Sequence, residues 1–537
     1  MRLSEKKRNP AGESIVSGAF SLAFVALAVK ILGVIYKIPL SHILGDEGMG
    51  YFNTAYTVYA CLYLICTAGV PKAVSILTTE AIVCGRDRDK KRIFRVCIGT
   101  FGAVGGALAV LFILFGEPIA TAVGNHAAAW TMIAIAPSLL FVSLGGVIRG
   151  YLNGHARLFP IAVSQLTEGI CKLVFGLLFA NYATAQGYAL PVVSAFTIFG
   201  ITVGSVLAFL LLLIFAKSQN SHEKEKQKNE ISEMGRRDIL RRILHVAIPV
   251  TTSAAVMSMT NMLDLGLIMR RLSDIGLTEN AATALYGNYT TLAVPMFNLA
   301  AGIVASVALA VLPRLTGKYV LGDTEGFREL FRFATEGTML LMVPFSGGLF
   351  LFGREVLILL FRDDSAAVAA PLLAALTPAM LFMSLLTVVN TVLEASGHPH
   401  APLISMSVGC VAKLFVSYIL IGRESFGILG APVGTVISYA VSLLISLCLL
   451  SRKKQLRISF MSCFWRPLLA CALSLSTVRL LYRILLPSAD GNVLTVFCVA
   501  VGGTLYLLSA AALGAFSPFL HGKFGISHKK TVENLED

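Results

Sequence analysis

Apolar runs long enough to cross a bilayer recur along the chain at 15–35, 52–77, 96–115, 129–148, 160–180 and 190–216. They continue at 244–268, 282–312, 331–352, 367–393, 402–421 and 428–450, and end with 466–486 and 492–515. Short polar clusters separate them. Roughly twenty apolar residues carry a helix across the hydrocarbon layer. Backbone polar groups cannot go unpaired there, so runs of this length without strand alternation must be helices. The pattern predicts an all-α polytopic membrane protein with about 14 transmembrane helices.

Composition excludes the soluble alternatives. Hydrophobic residues make up 56% of the chain and charged residues 14%, against roughly 25% charged in soluble domains. The net charge of +14, from 44 basic and 30 acidic residues, would suit a nucleic-acid binder. These basic residues, however, sit in short clusters between apolar runs, where they act as topology signals, so no nucleic-acid partner is expected. The ten cysteines are scattered singly, with no spacing that suits a metal or a disulfide framework. His398/His400 and His42/Asp46 lack the third group that a metal or hydrolytic site needs, and read as loop residues.

The first apolar run follows Lys6, Lys7 and Arg8 as a signal peptide's would. It is too long for that role, and Tyr36-Lys37-Ile38-Pro39 replaces a small-residue cleavage site, so it reads as an uncleaved anchor. With the N-terminus inside, one side collects the clusters Arg86–Arg95, Lys217–Arg242 and Arg452–Arg457, which places both termini in the cytoplasm.

The expected organisation is therefore a cytoplasmic tail over 1–14, a first lobe of helices 1–6 over 15–216 and a charged cytoplasmic linker over 217–243. A second lobe of helices 7–12 occupies 244–450, a cytoplasmic loop 451–465, helices 13 and 14 residues 466–515, and a cytoplasmic tail 516–537.

The two lobes resemble each other in sequence. Leu32/Leu265, Gly33/Gly266, Tyr56/Tyr289, Gly69/Gly302, Phe94/Phe331, Arg95/Arg332, Gly116/Gly353, Pro137/Pro378, Ser143/Ser384, Lys172/Lys413 and Pro191/Pro432 match at an offset that only grows, as loop insertions would make it. A duplication of six helices leaves both copies with the same orientation, pseudo-symmetric about an axis along the membrane normal, with a central cavity between them. Rocking one lobe against the other would then give alternating access.

The stretch from Lys30 to Ala81 carries Lys37-Ile38-Pro39-Leu40, Leu44-Gly45 with Glu47-Gly48-Met49-Gly50, and Ala68-Gly69-Val70-Pro71. It resembles the bacterial polysaccharide transporters of the stage V sporulation protein B type, relatives of the lipid II flippases in the multidrug, oligosaccharidyl-lipid and polysaccharide exporter superfamily. The resemblance covers essentially the whole chain. It implies translocation of a polyprenyl-diphosphate-linked saccharide, lipid II or another envelope precursor, across the bacterial plasma membrane. It also implies contact with membrane lipids, and it leaves wall-synthesis enzymes as candidate partners. In the flippases a basic residue precedes a Leu-Gly pair in the first helix, and Lys30 before Ile31-Leu32-Gly33 matches it. An Arg-Asp pair follows in some of them where Tyr36-Lys37 stands here, which argues against ion coupling through that acid.

Carrying a diphosphate headgroup through a layer where charge is costly requires a cationic lining, so ionisable residues inside spans are the groups to seek. Lys30 lies about 22 Å along the first helix and faces either the cavity, the outer interface or a structural partner. Lys37 and its repeat mate Arg270 suit a cavity or an interface anchor equally. Lys72, beside Pro71, could meet headgroups or inner-leaflet anionic lipid. Glu168 and Lys172, one helical turn apart, could neutralise each other. Lys413 has Gly409 where Lys172 has its acid, so it must find another partner or line water. Asp264 could pair with a lysine, bind Na⁺ or accept a proton.

No Gly-x-x-x-x-Gly-Lys-Ser/Thr loop is present, so no cofactor or ATP site is expected. Energy would come from a H⁺ or Na⁺ gradient or from the membrane potential. Two other readings compete with the flippase. One is a cation-coupled multidrug antiporter, which needs acids that this chain has few of. The other is a non-transporting scaffold for wall or spore-envelope synthesis. A membrane-bound transferase would need polar groups gathered at one membrane face, and none gather.

Overall fold

The computed structural model describes residues 10–223, 234–398, 400–451, 460–485 and 491–516, and for some helical residues, Lys30 among them, the backbone alone. Among the described residues the chain is helical throughout, with no strand. The elements are α1 (Pro10–Thr67), α2 (Val70–Val83), α3 (Asp87–Leu114), α4 (Gly116–Val123), α5 (Ala129–Ile135), α6 (Ser138–Gly154), α7 (Phe159–Ala185) and α8 (Leu190–Glu223). They continue with α9 (Arg236–Asp274), α10 (Glu279–Asn288), α11 (Val294–Val320), α12 (Thr324–Leu360), α13 (Asp363–Ala395), α14 (Ala401–Ile421), α15 (Gly430–Ser451), α16 (Phe460–Leu485) and α17 (Gly491–Ala512). A π turn, Tyr289–Ala293, joins α10 to α11.

Among the described residues, eleven helices are long and apolar enough to cross a membrane, or twelve if the bent pair His126–Ile135 and Ser138–Gly154 is one span. The expected spans 15–35 and 244–268 include residues whose side chains lie outside the described ones, so the eleven or twelve are a count of the described residues and not of the whole chain.

Two breaks follow from sequence chemistry. At 1.5 Å per residue α1 would reach about 87 Å if straight, far more than a bilayer core of ~30 Å. It is interrupted at Gly45, whose φ of 64° and ψ of −173° suit a residue without a Cβ. The second break is at Pro137, where the bent pair turns by 40°. Proline removes a backbone donor and crowds the preceding turn, so a bend there has a local cause. His42 and Asp46, expected in a loop, lie instead on α1 on either side of the Gly45 break.

The chain divides into two compact units. The first comprises Met1–Leu299, Leu360–Leu376 and Ser407–Ser438, and the second Ala300–Leu359, Thr377–Met406 and Tyr439–Asp537.

In the first unit, Val70, Val74 and Leu77 of α2 pack with Ile93 and Cys97 of α3, Val147 and Tyr151 of α6, and Ile239 and Ile243 of α9. Ile148 and Leu152 extend α6 onto Ile161 of α7 and Leu212 and Ala216 of α8. Close helix approach depends on small residues, as is usual where lipid gives helices little reason to separate from it. A Cβ on Gly50 would fall on the Thr283 carbonyl of α10, and one on Gly287 would fall on the Asp46 carbonyl. Backbone cannot yield as a side chain can. Gly50→Ala is therefore expected to destabilise the protein by about 1–3 kcal/mol, read as a lower unfolding temperature in detergent, whereas Gly99→Ala, with open space at its Cβ, should leave it unchanged.

In the second unit, Phe327, Leu330, Phe331 and Ala334 of α12 meet Val311 and Leu315 of α11, Leu386, Val389 and Val392 of α13, and Leu443 and Leu450 of α15. Further along α12, Met339, Leu340 and Val343 pack with Ala470 and Cys471 of α16 and Tyr506 and Ala510 of α17. The turn into α12 is closed by Asp323, which accepts the Gly326 backbone N–H at 2.8 Å and the Lys318 ammonium at 2.6 Å. The Lys318 hydrogen bond, then that of Gly326, holds the Asp323 carboxyl below the usual carboxylate range.

Candidate functional site

Beyond its break, α1 places Phe52, Tyr56, Tyr59 and Tyr63 three or four residues apart, hence on one face. Their ring centroids follow one another at 6.3, 6.1 and 5.7 Å. Tyr36, from the first half of α1, meets Phe52 edge-on at 6.2 Å. It is seated against α7 at Gly176, where a Cβ would collide with the Tyr36 hydroxyl. Tyr59 is buried, while Tyr56 keeps 38% of its surface exposed.

Lys172 of α7 lies on this aromatic face, its Nζ 4.8 Å from the Tyr56 centroid and 5.7 Å from that of Tyr36. The negative faces of the two rings attract the ammonium. The expected pairing of Lys172 with Glu168 is not found. Glu168 Oε2 instead accepts Arg149 Nη2 at 2.7 Å, and Arg149 Nε donates to Ser164 Oγ at 3.3 Å. A guanidinium can serve the carboxylate and the hydroxyl together, and such charge-assisted bonds are stronger than a flexible pairing along one helix. Lys172 has no carboxylate within ion-pair distance among the described residues.

Lys37 is half-buried in the same unit. Its Nζ donates to the Thr290 carbonyl at 2.9 Å and to Asn53 Oδ1 at 3.3 Å. Thr290 belongs to the π turn, where the shifted hydrogen-bond register frees carbonyls for outside donors. Asn53 Nδ2 donates onward to Thr291 Oγ1 at 2.7 Å, and Thr57 shares a 3.1 Å hydrogen bond with the Tyr286 hydroxyl. Lys37 is thus tied into the packing of α1 on the π turn.

Lys413 of α14 finds its partner on α9. Its Nζ lies 2.8 Å from Asp264 Oδ2, with the side chains only 13% and 8% exposed. Of the alternatives open for Asp264, the lysine pair is the one formed. Arg270 is exposed and donates to the Ala122 carbonyl at 2.6 Å, at the C-terminal end of α4, where a cation suits the helix dipole. Lys72 is exposed. The Lys30 side chain lies outside the described residues.

The structure therefore gathers Tyr36, Tyr56, Lys172, Glu168 and Arg149 at one place, holds Lys37 and the Asp264–Lys413 pair elsewhere in the same unit, and leaves Lys72 and Arg270 at exposed positions. Sequence reasoning missed Arg149, which stands one residue past the expected 129–148 span, and it missed the tyrosine stripe. The spacing of Phe52, Tyr56, Tyr59 and Tyr63 was the available signal. An ammonium held on tyrosine faces and out of ion-pair distance of any carboxylate among the described residues can donate to an anionic oxygen, and the ring faces offer a stacking surface for a sugar.

The fold is that of multi-span transporters. The structure of a lipid II flippase MurJ in an inward closed conformation superposes with a TM-score of 0.72 at 15% identity, covering 93% of this chain and 99% of that one. An inward-facing multidrug resistance MATE family transporter of the MOP superfamily superposes at 0.61, also at 15% identity, covering 81% and 98%. That likeness defines the class of fold, an all-helical multi-span membrane protein. The sequence model of the family described as Lipid II flippase MurJ matches residues 40–529, and the chain belongs to that family of multi-pass bacterial membrane proteins.

Relatives in Bacillus subtilis (strain 168) include the uncharacterized membrane protein YabM, 24% identical over 94% of this chain and 93% of its own. Stage V sporulation protein B is 22% identical over 79% and 81%. The lipid II flippase MurJ of the same organism is 20% identical over 94% and 96%.

Proposed function

We propose that the protein moves a polyprenyl-diphosphate-linked saccharide, lipid II or a related envelope precursor, from the inner to the outer leaflet of the bacterial plasma membrane by alternating access of its two repeats. Both termini are then cytoplasmic, and the energy comes from an ion gradient or the membrane potential. The observation that carries this reading is Lys172, an ammonium on the tyrosine face with no acid partner among the described residues. The two span acids singled out in the sequence, Glu168 and Asp264, are neutralised by Arg149 and Lys413. That balance favours an anionic cargo over the organic cations of an antiporter, which would need free carboxylates.

The test is leaflet translocation of lipid II in proteoliposomes holding the purified protein. A hydrogen bond to a charged group contributes about 1.5–3 kcal/mol, so Lys172→Ala should slow translocation by roughly 10- to 150-fold. Lys30→Ala, run beside it, tests the position that the family resemblance points to. If folded wild-type protein moves neither lipid II nor another polyprenyl-linked glycan, the proposal is wrong.

A further inference from the structure

The repeat mates Lys172 and Lys413 end in opposite electrostatic states. Lys172 stands off its carboxylate neighbour on the aromatic face, whereas Lys413, with Gly409 in place of an acid one turn earlier, reaches to α9 and pairs with Asp264. Asp264 has no counterpart in the first repeat, where Ile31 occupies the matching position. Each half therefore keeps a lysine, and only the second adds an acid to meet it.

The carboxylate is not fully served by this lysine. Asp264 Oδ2 holds the ammonium, but Oδ1 is buried with no hydrogen-bond partner among the described residues. Thr260 lies one turn earlier on α9 and is 8% exposed. On α14, Ser417 Oγ, one turn from Lys413, is buried without a partner among the described residues. A bare buried carboxylate oxygen is the hard ligand that a hard cation such as Na⁺ takes. The position in front of the carboxylate is filled by Nζ, a compact charge on a flexible stem.

We propose that Lys413 is a tethered counter-ion that occupies a cation position at Asp264, and that removing its ammonium converts this carboxylate into a Na⁺ site. This deepens the transport reading: the second repeat runs its cycle with a covalently attached cation and needs no dissolved one at Asp264. Lys413 moves with α14 and Asp264 with α9, so any separation of these helices opens the pair and exposes a negative charge. The cost of that exposure opposes separation until an anionic cargo or a conformational change offers the ammonium another partner.

The experiment is thermal unfolding of the full-length protein in detergent, in NaCl against choline chloride at equal ionic strength. The variants are wild type, Lys413→Met, and Lys413→Met with Asp264→Asn. Lys413→Gln accompanies them, since its amide keeps a donor for Asp264 if the methionine variant fails to fold. Wild type and the double variant should melt alike in the two salts. The single variants should show a saturable upward shift in Na⁺ alone, as a ligand that binds only the folded state produces.

Two results would overturn the proposal. One is wild-type protein already stabilised by Na⁺ through Asp264, which would mean that the lysine does not fill the site. The other is single variants indifferent to Na⁺ and stabilised only by acid, which would mean that the carboxylate is neutralised by a proton. Neither depends on lipid II, so failure here is distinguishable from failure of the transport assignment.

Discussion

Asp264→Ala should be among the most destabilising single substitutions in the first unit, lowering stability by about 3–5 kcal/mol, the range for leaving one partner of a buried ion pair uncompensated. The reason lies in the geometry: the 2.8 Å pair is nearly closed to solvent, and Lys413 has Gly409 one turn back on its own helix where Lys172 has Glu168. The double variant Asp264→Ala/Lys413→Ala should recover a large part of the loss, because it removes both charges together. A double-mutant cycle on unfolding temperature or denaturant midpoint isolates that coupling. If the two losses simply add, the pair contributes nothing specific.

Arg149→Met should abolish most of the transport without touching the lysine proposed to meet the cargo. Glu168 now accepts the Arg149 guanidinium. Deprived of it, Glu168 still has Lys172 one turn along α7, a spacing at which opposite charges attract. The ammonium then leaves the Tyr56 and Tyr36 rings for the carboxylate, and the excess positive charge of the site disappears. Translocation should fall by roughly the same 10- to 150-fold as for Lys172→Ala. The control is Arg149→Met with Glu168→Gln, which removes the competing acid and should restore most of the rate. Persistent loss in the double variant would mean that Arg149 itself meets the cargo.

The alternation of apolar runs and polar clusters was enough for the all-helical, multi-span class, because hydrocarbon leaves the backbone almost no other option. Leu44-Gly45 entered the sequence reading only as part of a family resemblance, and the structure supplies its physical reason: Gly45 sits at a positive φ that other residues adopt only with strain. Length and hydropathy do not show where a run is broken, as α1 is at Gly45.

The candidate site was legible by residue type and illegible by partner. Sequence position named Lys30, Lys37, Lys72, Arg270 and Lys413 as candidate cations and Asp264, Glu168 and Lys172 as their possible charge partners, because an ionisable group within a span needs a reason to be there. Local spacing then suggested Glu168 for Lys172, and the fold overruled it by bringing Arg149 from α6 to the same carboxylate. It brought Asp264 from α9 to Lys413 across a long stretch of chain in the same way.

The sequence by itself determined that this chain is a helical membrane protein of a transporter family with few intramembrane charges, since hydrophobic length and the cost of burying charge are properties of the residues alone. Only the tertiary structure decided which charge neutralises which, and so which lysine is left on the tyrosine face. Ion pairing acts through space over a few ångströms, and in a bundle of long helices those distances are set by packing between segments far apart in the chain.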